Sequence, residues 1–180
     1  SLYKYDQYPS NKFLVEELFS VDFSRCYLAA KILSERDLEG ALLPLQMNLE
    51  RAKKDYGALY FFILLFRLII KKTGNLNIEI EDLCCSALKK TWPEFMKFKP
   101  IAIYTLIDLF PERYLADIPK WLDPNETTFW ISRYACLLAI KENFVRTRIH
   151  FPSRLISDYK SEPHRFVKAK LLCIQEEYLR

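Results

Sequence analysis

The side chains able to do chemistry are few, and the first is a cation in an unexpected place. In "FWISRYACLLAI", residues 129–140, Arg133 shares a helix face with Phe129, Cys136, Leu137 and Ile140. A guanidinium left unpaired in a dry core costs several kcal/mol. Arg133 must therefore meet a carboxylate on a neighbouring helix, reach backbone carbonyls, or open onto a concave groove where it can contact phosphates. Arg67, set among Ile63, Leu64 and Ile70, poses the same question. A basic stripe lies further on: residues 145–170 hold Arg146, Arg148, Arg154, Lys160, Arg165, Lys168 and Lys170 against Asp158 and Glu162. Such a stripe attracts a polyanion or simply keeps a helix face solvated.

Other chemistry is thin. There are 2 histidines, far apart, and 3 glycines, so imidazole acid–base work and Gly-rich phosphate loops have little to build on. No serine–histidine–acid arrangement, metal-ligand spacing or dinucleotide fingerprint occurs. The motif content favours a non-enzyme with no metal and no cofactor. The five cysteines, Cys26, Cys84, Cys85, Cys136 and Cys173, lie in apolar periodic segments without a C-x-x-C. They read as buried, reduced thiols in a cytoplasmic compartment.

The elements that position these residues are helices. Apolar residues recur at three- and four-residue spacing nearly throughout, predicting helices near 11–20, 22–36, 39–54, 57–73, 79–90, 93–110, 112–122, 124–143, 152–160 and 163–178. "TGNLN" ends one helix behind Lys71 and Lys72, and "DPNE" at residues 123–126 reads as a capping box opening another. The longest apolar run, residues 59–66, stops at Arg67, far short of the roughly 20 residues a membrane span needs. The start, Ser1-Leu2-Tyr3-Lys4, has neither a signal-peptide pattern nor an initiating Met, so a trimmed N-terminus is expected.

The helices pair, the second of each pair being longer and oilier, and the pairs recur roughly every 32 to 39 residues, as two-helix repeats do. A lone hairpin cannot cover its own apolar face, whereas stacked hairpins share a core. With 51% apolar residues in 180, one domain over residues 1–180 is expected. Its class is all-α, a right-handed α-α superhelix of about five HEAT-like hairpins, with an ordinary bundle as the alternative.

At residues 91–140 the string "TWPEFMKFKPIAIYTLIDLFPERYLADIPKWLDPNETTFWISRYACLLAI" resembles the DNA alkylation repair family, the HEAT-like alkylpurine DNA glycosylases. The likeness rests on Trp92 opening a helix, the "FPE" break at residues 110–112, "IPKW" at 118–121, and the Trp130, Arg133, Ala135 pattern. It implies a concave basic face that grips duplex DNA, with a catalytic aspartate flanked by two tryptophans. Trp92 matches the first tryptophan and Cys173 loosely the second, but Met96 stands where the aspartate would be. A thioether cannot stabilise positive charge developing on a sugar. Glu94 is a weak substitute, displaced to another helix face.

The resemblance thus implies a non-catalytic relative whose groove holds DNA backbone or an acidic protein segment, with Arg133, Arg165, Lys168 and Lys97 on phosphates and Trp92 beside them. Packing is the competing role for Trp92, Trp121 and Trp130, and solvation for Lys97 and Lys99. The rival functions are an active alkylpurine glycosylase and a pure protein-interaction scaffold.

Overall fold

A computed structural model describes residues 9–36, 38–75, 78–156 and 159–177. The chain divides into two compact units, Ser1–Ala87 and Leu88–Arg180. Both are built from helices packed against helices, the all-α repeat architecture that the paired periodicity predicts. Among the described residues no helix is long and apolar enough to cross a membrane.

The first unit contains α1 (Asn11–Glu17), α2 (Phe23–Glu35), α3 (Leu38–Met47), α4 (Leu49–Ala52), α5 (Ala58–Thr73) and α6 (Ile78–Ala87). Short side chains start the first two: Ser10 Oγ accepts from the Phe13 amide at 3.2 Å, and Asp22 Oδ1 from the Ser24 amide at 2.9 Å. The oily α5 is the centre, touching α2, α3 and α6 and burying Leu59, Phe61, Phe62, Ile63, Leu65, Phe66, Ile69 and Ile70. Each large side chain so buried contributes about 1.5–3 kcal/mol. Gly74, at φ 72°, ends α5 in the left-handed conformation that glycine adopts without strain. The expected helix over 39–54 is two helices, because Asn48 interrupts it and donates its side-chain amide to the Pro44 carbonyl at 2.8 Å.

The second unit contains α7 (Phe98–Leu109), α8 (Pro111–Tyr114), α9 (Ile118–Leu122), α10 (Trp130–Thr147) and α11 (Arg165–Glu177). Here α10 is the hub, packing along α7 and touching α9 and α11. Two predicted starts shift. Trp92 does not open a helix: the segment from Pro93 turns, the Met96 amide reaching the Pro93 carbonyl at 3.2 Å, and α7 begins only at Phe98.

The "DPNE" segment is likewise a turn. Asp123 Oδ1 takes the Asn125 amide at 2.8 Å, and its carbonyl takes the Glu126 and Thr127 amides at 3.2 and 2.8 Å. α10 therefore starts at Trp130 and runs on to Thr147, where Arg148 closes it at φ 61°. Of the helix expected over 152–160, two 3₁₀ turns are present, Ser153–Leu155 and Tyr159–Ser161; residues 157 and 158 lie outside the described residues.

Candidate functional site

Where α10 and α11 meet, their side chains leave an open groove of about 520 Å³. Trp130, Ile131 and Tyr134 line it from α10, and Phe166, Ala169, Lys170 and Cys173 from α11. The spacing explains the lining: residues 166, 170 and 173, like 130 and 134, recur on one helical face. The groove is walled by aromatic rings rather than filled by them. Trp130 meets Tyr134 edge-on at 6.3 Å and Phe166 at 5.9 Å, while Phe166 is 50% exposed. The His164 ring lies flat on Trp130, 4.0 Å away and 6° from parallel.

Arg133 is what fixes this rim. Its Nε and one terminal nitrogen donate to the two oxygens of Glu162, at 2.9 and 2.6 Å, and its other terminal nitrogen donates to the carbonyls of Thr127 and Thr128 at 2.9 and 3.1 Å. The same Glu162 carboxylate accepts the backbone N–H of His164 at 2.9 Å. One guanidinium thus ties the turn before α10 to the segment that delivers His164 to the Trp130 face. The fork-to-fork pairing satisfies both charges. At 2% exposure Arg133 cannot touch a phosphate, and the groove reading of it gives way to the paired one.

Lys170 supplies the cation that faces the groove. Its Nζ lies 5.9 Å from the Tyr134 ring centre. Burial, and then the charge of Lys141, push the Lys170 ammonium below the usual lysine range. Cys173, one turn on, is exposed, as is Cys85, against the expectation that all five thiols are buried; Cys26, Cys84 and Cys136 are.

The other residues expected at a DNA interface are scattered. Trp92 packs edge-on against Phe98 at 5.3 Å. Glu94 pairs with Lys99 at 3.0 Å, and Lys99, only 4% exposed, also donates to the Trp92 carbonyl at 2.9 Å. Lys97 is exposed at the start of α7. Arg165 lies over the Phe166 ring at 4.8 Å and Lys168 is half-buried, both on α11. The basic stripe is partly spent: Arg146 is bound to Asp108 at 2.6 Å. Sequence reading missed His164, Tyr134 and Phe166 as site residues, although the i, i+4, i+7 spacing of 166, 170 and 173 was available as a signal. Among the described residues, no group of three His, Cys, Asp or Glu side chains is placed to hold a metal ion.

Comparison with known proteins decides what such a groove is set beside. Over 171 residues, 94% of the chain, it is 32% identical to the bilin biosynthesis protein CpeY of Synechococcus sp. (strain WH8020). Over 142 residues, 78% of the chain, it is 32% identical to the uncharacterized phycocyanin operon protein Y of Pseudanabaena tenuis (strain PCC 7409). The chain is similar to a bilin biosynthesis protein. It spans 41% and 32% of the lengths of these two relatives. No protein-family model matches it, and no solved structure does.

These relatives overturn the resemblance to the DNA alkylation repair family, and with it duplex DNA or an acidic segment as partner and glycosylase activity. The pure scaffold finds no support in them either. The physical reason for the false likeness is visible: Trp121 is buried and stacked on Tyr114 at 6.0 Å, Pro111 opens a helix, and Arg133 is an internal tie. These are demands of helix packing, which unrelated helical repeats share.

Proposed function

We propose that this chain takes part in bilin biosynthesis by holding a linear tetrapyrrole in the groove between α10 and α11, in a lyase-type role that delivers the pigment to a phycobiliprotein subunit. The observation that carries this is the open aromatic groove with Lys170 at its side, in a chain similar to a protein named for bilins. A bilin has a long conjugated body, which favours stacking on rings such as Trp130, Tyr134 and Phe166, and two propionate carboxylates, which favour a nearby ammonium. The groove volume of about 520 Å³ falls in the range that cofactor-sized ligands fill.

Delivery needs no oxidant. The acceptor thiol adds across an exocyclic double bond of the pigment; a sulfur–carbon bond forms, the π bond is consumed, and the thiol proton ends on the neighbouring carbon. What this chain contributes is grip and orientation: a water-poor wall for the conjugated body, with one open side through which an acceptor cysteine can approach. Thiols that form no disulfide suit the reducing cytoplasm, where the reading places this work.

The test is an absorption titration of biliverdin, a simple bilin, into the purified protein. Saturable red-shifted or sharpened pigment bands are expected, and Phe166→Ala should weaken binding roughly tenfold, as loss of a stacking ring does. A spectrum that never departs from free pigment overturns the reading.

A further inference from the structure

We infer that His164 is the positioning residue of the groove: its neutral imidazole holds the start of α11 against Trp130, and taking up a proton releases it. This rests on the bilin reading for the ligand that reports it. His164 stands directly before α11, where its carbonyl accepts the Lys168 amide at 2.9 Å and its Nδ1 accepts the Phe166 amide at 3.3 Å. A ring nitrogen thus takes the place that a Ser, Asp or Asn oxygen takes at other helix starts. The same ring lies flat on Trp130 at 4.0 Å and meets Phe166 at 5.5 Å, tilted by 55°. Trp130 and Phe166 both line the groove, from α10 and α11, with their ring centres 5.9 Å apart. One side chain therefore sets two groove walls on two helices.

A single protonation state can do this. A ring nitrogen accepts a hydrogen bond through a free lone pair, so the Phe166 contact puts the ring proton on Nε2. An imidazolium has donors at both nitrogens and cannot accept from Phe166. It also sets a cation at the positive end of α11. Among the described residues, the titratable groups on the elements packed against the ring are Arg133, Tyr134, Lys160, Glu162, Arg165 and Lys168. Glu162 is the one carboxylate of that set, and it is held by Arg133 and by the His164 amide. It is not free to accept the Phe166 N–H in place of Nδ1. Arg165, a cation, lies over the Phe166 ring at 4.8 Å. Protonation therefore opens the cap, and a ligand stacked on both walls loses the setting of one.

The experiment is an absorption titration of biliverdin at about pH 7.5 and about pH 5.5, across the range in which imidazoles take up a proton. It is run on the unmodified chain, His164→Asn, His164→Phe and His150→Asn, with thermal melts at both pH values to show that each is folded. The asparagine variant keeps a capping acceptor that no proton removes, whereas the phenylalanine variant keeps a ring and has no acceptor. His150, the other imidazole of the chain, lies against Phe144 at 4.6 Å and serves as the control. Protonation of the pigment acts on every variant alike. Acid should weaken binding to the unmodified chain and to His150→Asn roughly fivefold more than binding to His164→Asn, as loss of one capping hydrogen bond does. His164→Phe should already bind weakly at the higher pH. An acid effect of equal size in His164→Asn and the unmodified chain, or full binding by His164→Phe, overturns the positioning role and leaves the groove reading standing. If the unmodified chain binds no pigment at the higher pH, the groove reading and this inference fall together.

Discussion

Glu162 and Arg133 face each other at 2.6 Å, each side chain only 3% exposed, and through that contact two irregular segments are fastened to the start of α10. The pair is a structural tie whose consequence is functional, since the backbone it holds places His164 on Trp130. Removing one partner strands the other charge in the core. Arg133→Met is therefore expected to cost about 3–5 kcal/mol by chemical denaturation, and the double change Arg133→Met with Glu162→Met less than that. Full stability of the single variant would show that the pair is not sealed as described.

Thiol reactivity follows burial. Cys173 and Cys85 are exposed, while Cys26, Cys84 and Cys136 are buried. Ellman's reagent should titrate two thiols quickly in the native protein and the remainder only after unfolding. Rapid native reaction of all five would contradict the packing of α2, α6 and α10.

Alkaline stability carries a defined sign. Burial pushes the Cys136 thiol far above its ordinary range, and burial first, then Asp55, raises Cys26. Folded values above unfolded ones mean that the contribution is whole below about pH 8.5, where unfolded thiols start to ionise, and is lost as pH rises beyond it. Each thiol is expected to remove up to about 1.4 kcal/mol of stability per pH unit in that window. Cys136→Ala should flatten the alkaline limb of a melting-temperature profile; an unchanged limb would contradict the assignment.

Lys170 has the opposite sign. Its ammonium is disfavoured in the fold, by burial first and by Lys141 next, so it weakens the unliganded protein while charged, and the penalty fades as pH rises toward the ordinary lysine value of about 10.4. Lys170→Met is expected to raise the melting temperature of the unliganded protein at neutral pH while abolishing its preference for the pigment's free acid over the dimethyl ester. A lowered melting temperature would show that the lysine stabilises the fold.

Much of the fold was legible because helical periodicity reports burial directly: the run from Leu59 to Ile70 could only be an inner helix, and it is. Boundaries were harder where side chains compete with the helix. Asp123 looks like a cap, yet its carboxylate and carbonyl stabilise a turn, and Asn48 does similar work behind Pro44. The question of Arg133 was posed by the sequence but answered only by Glu162, twenty-nine positions on, across a turn no periodicity forecasts. The groove was invisible for the same reason: Trp130 and Phe166 look like packing residues until the register of α10 against α11 shows that their rings stand apart. The family likeness failed because tryptophans, prolines and a buried arginine serve helix packing in any such stack.

The most direct measurement is protection of a single thiol. Cys173 lines the groove and is exposed, whereas Cys85 is exposed on α6 and is not one of the groove-lining residues. N-ethylmaleimide labelling, resolved by peptide mass, is followed with and without saturating biliverdin. A pigment seated between α10 and α11 slows alkylation of Cys173 severalfold and leaves Cys85 at its original rate. Equal rates at Cys173 in the presence and absence of bound pigment would place the bilin elsewhere and contradict the groove as its site.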